Sequence, residues 1–127
     1  ELLLARNQDS ADVSSSGIID DTIAYITDHL QEELSLEQLA RQASLSPFYF
    51  SRLFKKETGY SPHEYVIQAR VNAAKYFLQS ARLSQKDICY SCGFSSESSF
   101  CTTFKKATGL TPSQYRKNVS SERWIQE

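Results

Sequence analysis

No stretch of the 127-residue sequence runs to eighteen consecutive apolar positions, so it offers no membrane-crossing helix, and no membrane partner is expected. The opening Glu1-Leu2-Leu3-Leu4-Ala5-Arg6 is too short an apolar stretch for a secretory signal, and the expected compartment is the cytoplasm. Methionine is absent, so residue 1 is read as a position inside a longer chain, with a further region expected before it. There is no glycine-rich loop to cradle a phosphate and no pair of carboxylates at a useful spacing in the basic part of the chain. The two histidines, His29 and His63, have no nucleophile placed beside them, so neither an enzyme nor a cofactor is expected. Three cysteines, Cys89, Cys92 and Cys101, cannot all pair, which favours reduced thiols. Cys89-x-x-Cys92 with a histidine nearby has a spacing that suits zinc, but both cysteines fall on an apolar helix face and read better as small core thiols. No metal is expected.

What is present points elsewhere. A hydrophobic content of 40% is enough for one modest core or two small linked ones. The formal net charge of −1 disguises a segregation of charge. Between Arg41 and Lys117 stand twelve lysines and arginines against four acids, a net of +8. The carboxylates gather before that segment, with Asp20, Asp21, Asp28, Glu32, Glu33 and Glu37 on or beside the first expected helix. A field of one sign over part of a molecule is the footprint of a polyanion-binding surface.

Residues 1–17 are polar and end in Ser14-Ser15-Ser16-Gly17, the composition of a flexible linker. A helix is expected from Ile18, with Ile19, Ile23, Ile26 and Leu30 on its apolar side and Asp20 and Asp21 in its first turn. Ser35 and Gln38 have capping-box spacing and open a second helix lined by Leu36, Leu39, Ala40 and Ala43. Ser46-Pro47 starts a third, which Gly59 closes. Ser61-Pro62 starts a long helix to about Ser80, with a stripe at Val66, Ala69, Ala73, Phe77 and Ala81. Ser84 and Asp87 open a short fifth helix ended by Gly93-Phe94; a sixth runs from Ser95-Ser96 to Gly109, and Thr111-Pro112 starts a last one. Arg70, between Val66 and Ala73, is expected to form a structural ion pair with Asp87.

Residues 46–66 and 96–116 are identical at nine of twenty-one positions when compared at an offset of fifty. The pairs are Ser46/Ser96, Phe50/Phe100, Phe54/Phe104, Lys55/Lys105, Lys56/Lys106, Thr58/Thr108, Gly59/Gly109, Pro62/Pro112 and Tyr65/Tyr115. Upstream, Leu39, Ala40, Ala43 and Leu45 match Ile88, Cys89, Cys92 and Phe94 at an offset of forty-nine, so the second copy carries one extra residue at its turn. Each copy is a short helix, a tight turn and a second helix, which is a helix-turn-helix. The small residues at 40, 43, 89 and 92 let the two helices approach closely. The fold expected is all-α with about seven helices: units at 18–60 and 83–118, a connecting helix at 61–82 and a C-terminal tail at 119–127.

Over residues 18–118 the sequence resembles the AraC/XylS family of bacterial transcription regulators. The resemblance rests on Leu39-Ala40, Ser46-Pro47, Arg52-Leu53-Phe54-Lys55-Lys56, Thr58-Gly59, Ser61-Pro62 and Tyr65. In the second copy it rests on Ile88, Gly93-Phe94, Ser95, Phe100, Phe104-Lys105-Lys106, Gly109, Thr111-Pro112 and Tyr115-Arg116. It implies two homeodomain-like units whose third and sixth helices enter major grooves about one turn, ~34 Å, apart. It implies double-stranded DNA as partner, with RNA polymerase as a further one, and a domain that is monomeric alone and dimerises through a preceding region.

With Phe50, Leu53 and Phe54 turned to the core, Pro47, Phe48, Ser51 and Arg52 face outward on the third helix. Their counterparts on the sixth are Glu97, Ser98, Cys101 and Thr102, and all eight are candidate base contacts. Arg52 matches the O6 and N7 acceptors of guanine, ahead of a phosphate contact or surface salt bridge. Phe48 is either a thymine-methyl contact or a partly exposed core aromatic. The second copy departs from the family's usual pattern, with no arginine opposite Arg52 and Glu97 in the first turn, so weaker discrimination is expected of it. Lys55, Lys56, Lys105 and Lys106 are candidate phosphate contacts or simply a solvated face. The helix starts at Ser35, Ser84 and Thr111 offer free N–H groups to phosphates. A helical protein-interaction module is the alternative, and the +8 segment with polar outward faces favours DNA over it.

Overall fold

The computed structural model describes residues 17–126, with side chains through residue 120. Residues 1–16, expected as a linker, lie outside the described residues; Gly17 already belongs to the first helix. Seven helices and no strand are found among the described residues. They are α1 (17–28), α2 (Leu36–Gln42), α3 (Pro47–Thr58), α4 (Pro62–Phe77), α5 (Gln85–Ser91), α6 (Glu97–Thr108) and α7 (Pro112–Gln126). The last helix takes in most of the segment expected as a tail.

The chain divides into two units. One holds the described residues up to His29 together with Leu34–Tyr65; the other holds Leu30–Glu33 and the described residues from Val66 onward. Helix α4 thus begins in the first unit and continues in the second.

In the first unit Ile19, Ile26, Leu39, Ala40, Phe50, Leu53 and Phe54 are buried. Ser35 Oγ accepts the Gln38 N–H while the Gln38 side chain takes the Ser35 N–H, so both orphan donors of α2 are satisfied. The helix ends in a Schellman turn: Leu45 N–H reaches the Ala40 carbonyl and Ser44 N–H that of Arg41. That closure demands a left-handed residue, and Ser44 supplies it at φ 60°. Pro47 at the head of α3 and the Ser46 hydroxyl, which accepts the Tyr49 N–H at 3.3 Å, start the next helix. Gly59 at φ 83° ends it.

The second unit repeats this chemistry. Its core is Val71, Ala74, Leu78, Ile88, Cys89, Cys92, Phe94, Phe100 and Phe104. The turn after α5 closes through Phe94 N–H to Cys89 O and Gly93 N–H to Tyr90 O, with Gly93 at φ 93° where the first copy has Ser44. The extra residue is therefore Ser95, placed between this closure and the Ser96 cap of α6. Equivalent aromatics meet edge to face at the same spacing: Phe54 and Tyr65 at 5.4 Å, Phe104 and Tyr115 at 5.4 Å. Thr58 and Thr108 each donate to the carbonyl four residues back and accept the N–H two residues on.

Two further expectations are corrected. The stripe on α4 is set one position off: Val66, Val71, Ala74 and Leu78 are buried, whereas Ala69, Ala73 and Phe77 are half-buried and Ala81 is exposed. Alanines fit either side of a helix, and Val71 and Leu78 are buried between them while Ala73 and Phe77 pack partly buried against the same core. Arg70 does not pair with Asp87. Its Nε donates to the Leu30 carbonyl at 3.2 Å and its Nη2 to the Glu32 carbonyl at 2.8 Å, within the second unit. Arg116 does the same for the end of α4, reaching the Leu78, Ser80 and Leu83 carbonyls at 3.2, 3.0 and 2.7 Å. A guanidinium fork suits the unpaired carbonyls that every helix end leaves over.

Candidate nucleic-acid interface

Helix α3 presents its outward face because the opposite one is taken by Phe50, Leu53 and Phe54. Pro47, Phe48, Arg52, Lys55 and Lys56 are exposed and Ser51 is half-buried. Phe48 is 72% exposed, which rules out its reading as a core aromatic. The Arg52 guanidinium carbon lies 5.5 Å from the centroid of the Phe48 ring, within cation–π range. The first turn of α3 carries no acid and its last turn carries Lys55 and Lys56, so no carboxylate on this helix opposes an approaching polyanion before Glu57.

Helix α6 turns Phe100 and Phe104 inward, leaving Glu97, Ser98, Thr102, Lys105 and Lys106 exposed. Cys101 is half-buried, and its sulfur accepts a hydrogen bond from Gln85 Nε2 at 3.4 Å. Gln85 in turn accepts the Ser113 hydroxyl proton at 3.1 Å, joining the starts of α5 and α7 to the middle of α6. Sequence reasoning passed over Gln85, and its position just after the Ser84 cap was the one available signal. On this face Glu97 sets a negative charge at the helix start, so α6 is less cationic than α3.

The three helix starts differ in what they leave free. Ser35 is half-buried, and its hydroxyl both accepts the Gln38 N–H and donates to Gln38 Oε1. Ser84 is exposed and its oxygen accepts the Asp87 N–H at 3.0 Å, leaving its own proton for an outside acceptor. Thr111 is half-buried, accepts the Gln114 N–H and gives its own N–H to Gln114 Oε1.

Cys89 and Cys92 are buried in the second core, and Ala40 and Ala43 hold the equivalent places in the first copy. Burial pushes both thiols up, Cys92 to about 11, with Glu97 and Cys101 adding to the rise at Cys89. Among the described residues no three histidines, cysteines or carboxylates gather as a metal site would require. None of the described helices is long and apolar enough to cross a membrane.

A helix-turn-helix domain model matches residues 39–118, which span both copies of the repeat. The transcriptional activator RhaR of Escherichia coli is 34% identical over 119 residues, covering 91% of this chain and 42% of that protein. The chain thus spans less than half the length of this curated relative. Among solved structures, the DNA-binding domain of the global transcriptional factor AdpA, crystallised with a target DNA, superposes with a TM-score of 0.79 at 30% identity, covering 83% of this chain and 95% of that one. A transcriptional regulator from Chromobacterium violaceum of the AraC-type DNA-binding-domain class gives 0.75 at 28% identity, with 84% and 96% covered. With the model match extending over most of the chain and both helix-turn-helix units in place, the chain belongs to the AraC/XylS-type helix-turn-helix domain family.

Proposed function

We propose that this chain is the sequence-specific, double-stranded-DNA-binding domain of a transcription regulator, and that α3 and α6 enter successive major grooves. The observation that carries this reading is the outward face of α3, where Phe48, Arg52, Lys55 and Lys56 stand exposed on a helix anchored from behind by three buried apolar side chains. Family membership and the DNA-bound AdpA domain support it.

Arg52 is the principal base contact, with Pro47, Phe48 and Ser51 beside it; Glu97, Ser98, Cys101 and Thr102 line the second groove and discriminate less. Half-burial, in the case of Cys101 under Gln85, makes Ser51 and Cys101 less accessible than the other six. Lys55, Lys56, Lys105 and Lys106 hold phosphates, joined by the helix starts at Ser35, Ser84 and Thr111, of which Ser84 keeps an unspent hydroxyl proton while the Ser35 and Thr111 N–H groups are held by Gln38 and Gln114. A peptide-binding module would require a continuous exposed apolar stripe, and on α6 the exposed positions carry Glu97, Ser98, Thr102, Lys105 and Lys106 instead. The domain works as a monomer in the cytoplasm without catalysis, RNA polymerase is its second partner, and any dimer forms through a region outside this chain.

The test is fluorescence anisotropy with random duplex DNA at several salt concentrations. Micromolar binding whose logarithm falls linearly with log salt, by about 0.9 for each phosphate neutralised, is expected. Absence of binding at low salt overturns the proposal.

A further inference from the structure

The Phe48–Arg52 stack is unexplained by folding. A phenyl ring 72% exposed contributes little to the core, yet the Arg52 guanidinium lies over it at 5.5 Å. The two side chains are one helical turn apart, and the turn beneath them is pinned by Pro47 and by the Ser46 hydroxyl on Tyr49 N–H. Arg52 donates no hydrogen bond to any described residue, so its donor fork is oriented without being spent. The second unit has nothing comparable, since Ser98 and Thr102 stand at the equivalent places.

An oriented fork beside an apolar ring presents two chemistries in contact with each other. The fork fits the paired O6 and N7 acceptors of guanine, and the ring fits the C5 methyl of thymine. Because the two groups touch, the base edges they reach must also be neighbours, which in a duplex means successive base pairs at a rise of about 3.4 Å. We infer that Phe48 and Arg52 form one preassembled reader of a thymine and a guanine in successive base pairs. Phe48 senses the methyl group and acts as a positioning residue for Arg52. This inference rests on the DNA-binding reading above and narrows it to a dinucleotide step read by the first unit alone.

The experiment selects sites from a randomised duplex library with the wild type, Phe48→Ala and Arg52→Ala. Affinities are then measured for the enriched duplex with its thymine replaced by uracil, which removes only the methyl group, or its guanine replaced within an intact pair. Wild type is expected to enrich thymine next to guanine and to lose about four-fold on the uracil duplex, the effect of one apolar carbon. Phe48→Ala is expected to bind thymine and uracil duplexes alike and to lose most of its preference for guanine. As Phe48 is exposed, its removal leaves the thermal unfolding midpoint unchanged. A uracil effect of equal size in wild type and Phe48→Ala, or full guanine discrimination in Phe48→Ala, overturns the inference, as does enrichment of sites lacking the step. If instead no variant binds random duplex at low salt, the DNA-binding reading itself has failed.

Discussion

Gly93 occupies the left-handed position of the turn after α5, and a β-carbon built there would overlap the Leu30 carbonyl oxygen and come within 2.8 Å of Arg70 Nε. Gly93→Ala therefore meets two penalties. A non-glycine residue in the left-handed region costs roughly 1–2 kcal/mol. Displacing a main-chain carbonyl from packed surroundings adds about 1–3 kcal/mol, because the Arg70 hydrogen bond to that same oxygen moves with it. The sum is a loss of about 2–5 kcal/mol in the second unit. The matching position in the first copy, Ser44, is exposed and already left-handed at φ 60°. Ser44→Gly relieves the strain but gives the unfolded chain more freedom, so the net gain stays within about 1 kcal/mol. Urea unfolding followed by far-ultraviolet circular dichroism measures both. Loss of less than 1 kcal/mol in Gly93→Ala would refute the close approach of Leu30, whatever Ser44→Gly does.

Arg116→Ala is expected to destabilise the second unit by about 3 kcal/mol in the same assay, since three carbonyls lose a charged donor, and Arg116→Lys is expected to recover little for want of the fork. Alkylation of the folded protein near pH 8 is expected to label Cys101 first and to spare the buried Cys89 and Cys92, as read by mass spectrometry; equal labelling of all three refutes their burial. Because the folded-state pKa of Cys92 is raised to about 11, its contribution to stability is complete below the unfolded thiol's ordinary range and is lost as pH climbs toward 11. Cys92→Ala should flatten that alkaline decline. In duplex titrations Arg52→Ala is expected to weaken binding by about ten-fold or more and Thr102→Ala by less, while Lys55→Ala and Lys105→Ala each lower the salt slope by about 0.9. An Arg52→Ala loss no larger than that of Thr102→Ala counts against α3 as the stronger reader.

Much of the fold was legible because its signals are local and repeated. Caps at Ser35, Ser46, Ser84 and Ser96, the glycines at 59 and 109 and the fifty-residue offset mark the helices without any long-range information. The side of α4 that is buried was harder to read, as its alanines leave the helix with two plausible apolar sides. The helix starts at Ser61 and Thr111 were read from the prolines at 62 and 112, and it was their reciprocal partners, Glu64 and Gln114, that escaped notice. At the interface, the exposure of Phe48 and its stack with Arg52 depend on rotamers that spacing alone does not give. The partners of Arg70 and Arg116 were illegible for a different reason. Sequence reading looks for a carboxylate, and these arginines bind main-chain carbonyls that every residue possesses.

That choice of partner has a consequence for how the second unit tolerates change. A carbonyl has no proton to gain in mild acid, so these two anchors hold at pH values where a carboxylate partner would already be neutral. Nor can a carbonyl be removed by substitution: residues 30, 32, 78, 80 and 83 can change side chain and still present the same oxygen. The vulnerability is concentrated in the two arginines, and the positions they grip are free to drift.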